Sequence, residues 1–114
     1  MNNPNKINIL WTNDNVITSE KMVLMYATNS MINNWWSEVA VLAWGATTKL
    51  IADNQLIQEK IKMAMHIGVK FIACKACADQ LEVTEKLVEL GIDVKYVGDY
   101  FTDIIKEGEH LITI

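Results

Sequence analysis

Apolar residues in this chain fall into short unbroken runs, separated by longer stretches in which apolar and polar positions alternate with a helical spacing. Ile7–Trp11, Val39–Trp44, Val69–Ala73, Asp93–Val97 and Leu111–Ile114 read as strands. Between them lie predicted helices at Ile17–Asn33, from Thr47 or Thr48 to about Ile67, from Cys77 to Leu90, and at Tyr100–Glu107. Thr18 or Ser19 is the expected cap of the first helix. Gly68, Gly91 and Gly108 stand where helices should end, since glycine tolerates the left-handed conformation found there. Strands that alternate with helices and have no hairpin signal between them imply a parallel sheet covered on both faces. Continuous apolar strands, rather than alternating ones, fit the same burial. The expected fold class is therefore α/β, as one domain over residues 1–114.

The first predicted helix carries Met22, Val23, Leu24, Met25, Tyr26 and Ala27 in succession. Successive residues turn about 100° around a helix, so such a run encircles it. One stripe can face the sheet, and the rest needs another cover. Neighbouring helices could supply it. The reading preferred here is a subunit interface, which the nearby Trp35 and Trp36 would extend.

Composition narrows the function classes. About half of the 114 residues are apolar, the net charge is −4, and no Lys/Arg cluster exceeds two residues, which argues against nucleic acid as a main partner. The longest apolar runs fall far short of the roughly 18 residues that span a membrane. Met1-Asn2-Asn3-Pro4-Asn5-Lys6 lacks an apolar signal core. A cytoplasmic protein with reduced cysteines is expected, and in that compartment a C-x-x-C is more often catalytic, redox-active or metal-binding than a structural disulfide.

Cys74 and Cys77 are the only two cysteines, and they sit where the third strand ends and a helix begins. A helix start presents unpaired N–H groups and the positive end of the helix dipole, both of which favour a thiolate. Cys74 is the preferred nucleophile, with Lys75 adjacent. The competing reading makes both cysteines small buried hydrophobes. The same carboxyl edge of the sheet collects Thr12, Asn13, Trp44 and Gly45, candidates for binding a small ligand or a partner's tail. A zinc site needs about four ligands. His66 and His110 each precede a strand and so belong on the opposite edge, about 16 Å away across one strand. Neither a metal nor a cofactor is expected. Thioredoxin architecture needs a cis-proline loop, and the single proline is Pro4. Gly45-Ala46-Thr47-Thr48-Lys49 lacks the second glycine and the Gly-Lys-Ser/Thr ending of a P-loop. A dithiol–disulfide switch on another fold stays open.

Ile9-Leu10-Trp11-Thr12 with Lys21–Ala27, Val39–Gly45, Gly68–Asp79 with its Ala-Cys-Lys-Ala-Cys-Ala segment, and Gly91–Gly98 together resemble the DsrE-like family, which contains DsrE, DsrF and the TusD-type sulfur-relay subunits. The resemblance covers essentially the whole chain. It implies a three-layer α/β/α fold with a five-stranded parallel sheet and assembly into a homo-oligomer, a trimer or hexamer. It also implies a persulfide on the cysteine ending the third strand, which by position is Cys74. One departure is Glu82, at a position where family members often have glycine.

Two functions follow as expectations. The first is a sulfur carrier or sulfurtransferase-like protein, in which Cys74 takes sulfur from a donor protein for an acceptor and Cys77 is the proximal or resolving thiol. Whether it acts as an enzyme is left open. The second is a non-enzymatic oligomeric binding protein with a reduced, structural C-x-x-C.

Overall fold

The computed structural model describes residues 4–114. The reading of the first residues as lacking a signal core therefore lies partly outside the described residues. The five strands are β1 (Lys6–Trp11), β2 (Glu38–Ala43), β3 (Lys70–Cys74), β4 (Asp93–Lys95) and β5 (His110–Thr113). They form one sheet in the order β4-β3-β2-β1-β5, and every pairing is parallel.

The first three crossovers move the chain in one direction, from β1 to β4. They carry α1 (Val16–Thr18), α2 (Met25–Ile32), α3 (Ala46–Asp53), α4 (Gln55–His66), α5 (Lys75–Gln80) and α6 (Thr84–Glu89). The last crossover carries α7 (Gly98–Lys106) and runs back from β4 to β5 at the far edge. Crossovers between parallel strands are right-handed, so reversing the direction of travel moves the helix to the other face. That places α7 alone over the second face. The journey spans four strand spacings, about 19 Å, and α7 itself is about 13 Å long.

The two faces bury different residues of the same strands, as the pleat requires. Ile7, Ile9, Trp11, Val39, Val41, Phe71 and Ala73 join Val23, Leu24, Ala27, Ile51, Ile57, Ile61 and Leu87 in the larger core. Leu10, Ala40, Leu42, Ile72, Cys74 and Val97 form a second cluster under Tyr100 and Phe101 of α7.

Several element ends differ from the sequence reading. Asn15 caps the first helix, its side chain accepting from the Thr18 N–H; Thr18 and Ser19 lie inside the helical segment. Between α1 and α2 the backbone widens into a π-helical turn, Ser19–Leu24. Neither Thr47 nor Thr48 caps α3. Gly45 does so with φ +70°, and both threonines are buried. Asn54 breaks the second helix in two and caps α4 by accepting from the Ile57 N–H at 3.0 Å. The third breaks after Leu81. The fourth strand stops at Lys95, and α7 begins at Gly98.

The end of α5 is informative. The Glu82 N–H donates to the Asp79 carbonyl and the Val83 N–H to the Ala78 carbonyl, at 3.1 and 2.9 Å. This bond pair, around a residue with φ +60°, is a Schellman C-cap built on a non-glycine residue. Glu82 thus stands in the conformation that glycine adopts without cost, at the position where the family resemblance expects glycine.

Candidate functional site

β3 delivers Cys74 to the carboxyl edge of the sheet. Extended backbone at Cys74 (φ −68°, ψ 114°) then turns into α5, which makes Cys74 the N-cap residue and puts Cys77 in the first turn. The motif therefore sits as its spacing predicts. His110 opens β5 at the amino edge and His66 closes α4 ahead of β3, so both lie at the other end of the strands.

The two thiols are not equivalent. Cys74 is 4% exposed and belongs to the second-face cluster, while Cys77 is half-buried. Both are free. Burial pushes the Cys74 thiol above its ordinary pKa. The backbone N–H groups of Cys77 and Ala76 act in the opposite direction, since they stabilise the anion. The neighbouring Cys77 side chain raises the pKa further. The helix start is thus present, but desolvation outweighs it. Burial therefore opposes the thiolate expected at Cys74, because a sulfur packed in the second-face cluster loses its water.

Lys75 does not turn to the sulfur. Its ammonium pairs with Asp79 at 2.6 Å and lies 5.6 Å from the centre of the Tyr96 ring. Hydrogen bonds from Lys75 and from the Thr84 hydroxyl hold the Asp79 carboxyl below its ordinary range. This group of side chains ties the start of α5 to the start of α6.

The other candidates serve mainly to join elements. The Thr12 N–H and hydroxyl both donate to the Ile114 carbonyl, at 2.7 and 3.2 Å. The Asn13 side chain accepts from the Asn15 N–H, and its carbonyl accepts from the Thr47 hydroxyl at 2.8 Å. Trp44 packs edge-on against Phe101 of α7, with ring centres 5.5 Å apart.

A cleft of about 580 Å³ opens at this edge. Gly45, Ala46, Leu50, Cys77, Gln80 and Leu81 are among its lining residues. Of the sequence candidates it gathers Gly45 and Cys77; Cys74, Lys75, Thr12, Asn13 and Trp44 lie outside its lining. Sequence reasoning missed the wall supplied by Leu50, Gln80 and Leu81, because two helix breaks, at Asn54 and after Leu81, shape it. Asn54, next to Asp53, was the readable signal for the first break. The second carries no glycine or proline.

Among the described residues no group of three or more His, Cys, Asp or Glu side chains gathers as a metal site, and no helix is long and apolar enough to cross a membrane.

A family model described as DsrE/DsrF-like matches residues 7–114. A solved structure of a conserved protein of unknown function from Bacteroides thetaiotaomicron is similar, at 36% identity and a TM-score of 0.95, over 96% of this chain and 95% of that one. A protein of unknown function from Methanobacterium thermoautotrophicum shares the fold, at 19% identity and a TM-score of 0.70, over 96% of this chain and 98% of that one. No match is found among curated proteins.

Proposed function

The chain belongs to the DsrE/DsrF-like family, and on that premise we propose that it is a sulfur-relay protein that carries sulfane sulfur as a persulfide on Cys74. The observation that carries this reading is the placement of two free cysteines at one strand-to-helix junction, Cys74 as the N-cap of α5 and Cys77 in its first turn, where the backbone N–H groups of Ala76 and Cys77 favour the Cys74 anion. A hydropersulfide is more acidic than a thiol, so the anion that those N–H groups favour forms more readily once the outer sulfur is in place. A donor protein supplies that sulfur and an acceptor protein removes it. Where no acceptor is present, the Cys77 thiolate attacks the inner sulfur of Cys74–S–SH. The Cys74–Cys77 bond forms, the persulfide bond breaks, and hydrosulfide leaves with the electron pair. Every atom and electron is then accounted for without an outside oxidant.

The protein works in this reading as a cytoplasmic homo-oligomer, a trimer or hexamer. Met22, Met25 and Trp35 support it, since they are 40%, 47% and 56% exposed on or beside one helical layer.

Intact mass after incubation with inorganic polysulfide tests the relay. One added sulfur, removed by reductant and mapping to Cys74 in the wild-type protein, is the expected result. An unchanged mass in the reduced wild-type protein would favour the second reading, an oligomeric binding protein whose C-x-x-C is structural. The burial of Cys74 is the observation that supports that alternative.

A further inference from the structure

The cleft and the sulfur that would hold the cargo are not in line. Cys74 lies in the second-face cluster beneath α7, whereas the wall of the 580 Å³ cleft carries Cys77. Cys77 is also packed against the cluster that contains Cys74, so it borders both the open space and the group that buries the second sulfur. A compound that enters the cleft therefore meets Cys77 first.

We propose that this cleft binds a small organic hydropersulfide, R–S–SH, and that Cys77 is the entry thiol that takes its outer sulfur and hands it to Cys74. This rests on the relay reading above and adds to it a donor class and an order of transfer. The volume suits a molecule of amino-acid size or somewhat larger. Ala46, Leu50 and Leu81 offer apolar wall to the R group, and Lys49 and Gln80 offer hydrogen-bond donors to a polar head. Lys49 already pairs with Asp53 at 2.9 Å, but both side chains are about 60% exposed. Such a pair is worth at most about 1 kcal/mol and yields readily to a ligand.

The transfer balances in two steps. The Cys77 thiolate attacks the outer sulfur of R–S–SH. A Cys77 S–S bond forms, the donor's S–S bond breaks, and R–S⁻ leaves with the electron pair and is protonated. The Cys74 thiolate then attacks the outer sulfur of Cys77–S–SH. A Cys74 S–S bond forms, and Cys77 departs as thiolate and recovers the proton that Cys74 gave up. The sum is R–S–SH + Cys74–SH → R–SH + Cys74–S–SH, with no net oxidation.

The test follows the rate of single-sulfur mass gain with two donors, cysteine hydropersulfide and inorganic polysulfide. Polysulfide carries no organic R group, so the walls of the cleft give it no recognition. Cys77→Ser should slow loading by cysteine hydropersulfide at least tenfold and leave loading by polysulfide within about twofold, the sulfur then mapping to Cys74. Leu81→Trp narrows the cleft and leaves both cysteines in the chain. It should slow the organic donor more than polysulfide, and it keeps the proposal testable if the serine variant folds poorly. Equal loading of wild type and Cys77→Ser by the organic donor, or equal slowing of both donors in Leu81→Trp, would overturn the entry route while leaving the relay reading intact. If wild type loads with neither donor, both readings fall.

Discussion

Trp11 donates its indole N–H to the Ser19 hydroxyl at 3.0 Å, and both residues are fully buried. The bond joins the last residue of β1 to the first residue of the π-helical turn. A π-turn aligns its N–H groups with carbonyls five residues back and is rare outside positions that something holds in place. Here a large indole needs a partner in a core that offers few.

Ser19→Ala should therefore cost about 1–3 kcal/mol, the penalty for a buried donor left without an acceptor. Urea denaturation should show the midpoint falling while the slope stays the same. An unchanged midpoint would mean that the π-turn is set by packing of Val23 and Leu24 instead.

Glu82→Gly should stabilise the protein. A non-glycine residue with φ +60° at the Schellman position pays roughly 1–2 kcal/mol in the left-handed region. Part of that gain is lost to the greater freedom of glycine in the unfolded chain. A net gain of about 1 kcal/mol, or roughly 4 °C in Tm, is expected. A lower Tm would show that the Glu82 side chain contributes more than its backbone costs.

Alkylation should discriminate between the cysteines. With iodoacetamide at neutral pH, Cys77 should react before Cys74, and Cys74 should react more slowly than a cysteine in an unstructured peptide. Burial raises its pKa and also restricts access. The same shift has a sign in stability. Below the ordinary thiol pKa both folded and unfolded states hold the proton. Above it the unfolded chain loses the proton first, so stability falls with rising pH until the folded value is passed. Cys74→Ala should flatten that alkaline decline.

Acid acts through the opposite edge. Lys70 hydrogen-bonds Glu38, with Lys6 at 3.9 Å from the same carboxylate, and together they hold its pKa below the usual value. A depressed carboxylate stabilises the fold above its ordinary pKa, and that contribution fades as pH drops through the folded value. Lys70→Gln should lower stability by up to about 1 kcal/mol at pH 7, since the pair is partly solvated. The difference from wild type should vanish at pH 2. A gap that persisted in acid would assign the effect to packing of the lysine stem.

The proposed assembly is directly measurable. Light scattering in reducing buffer should give three or six times the protomer mass of 12.9 kDa. Met25→Lys should shift the mass down, because a charge placed in an apolar contact is not easily accommodated. A protomer mass for wild type would withdraw the interface reading of the first helix.

Much of the fold could be read because burial on both sides leaves a plain mark. Each of the five strand runs overlaps a strand of the sheet, and Cys74 ends β3 where a helix begins, although that helix starts at Lys75 rather than Cys77. Six apolar residues in succession did overrun one stripe: Val23, Leu24 and Ala27 are buried, while Met22 and Met25 face outward. What escaped depends on geometry with no strong local sign. Leu81-Glu82-Val83 looks like uninterrupted helix, and only the positive φ of Glu82 divides α5 from α6. The thiol environment depends on how far α7 lies over Cys74, a long-range outcome of the last crossover. Trp44 was read as part of an open edge for the same reason, and that crossover instead sets Phe101 against it.

The sheet order also sets a timetable. β1 pairs with β2 on one side but with β5 on the other, where Ile7 meets His110 across almost the entire chain. On the ribosome, residues are added at roughly 5–20 per second. The earliest strand must therefore wait for residues 110–113 with one flank bare, while its other flank and the first-face core can already be in place. Because β5 is reached only through α7, the lid over Cys74 is also among the last parts to settle. A newborn chain therefore presents Cys74 to its surroundings more openly than a finished one.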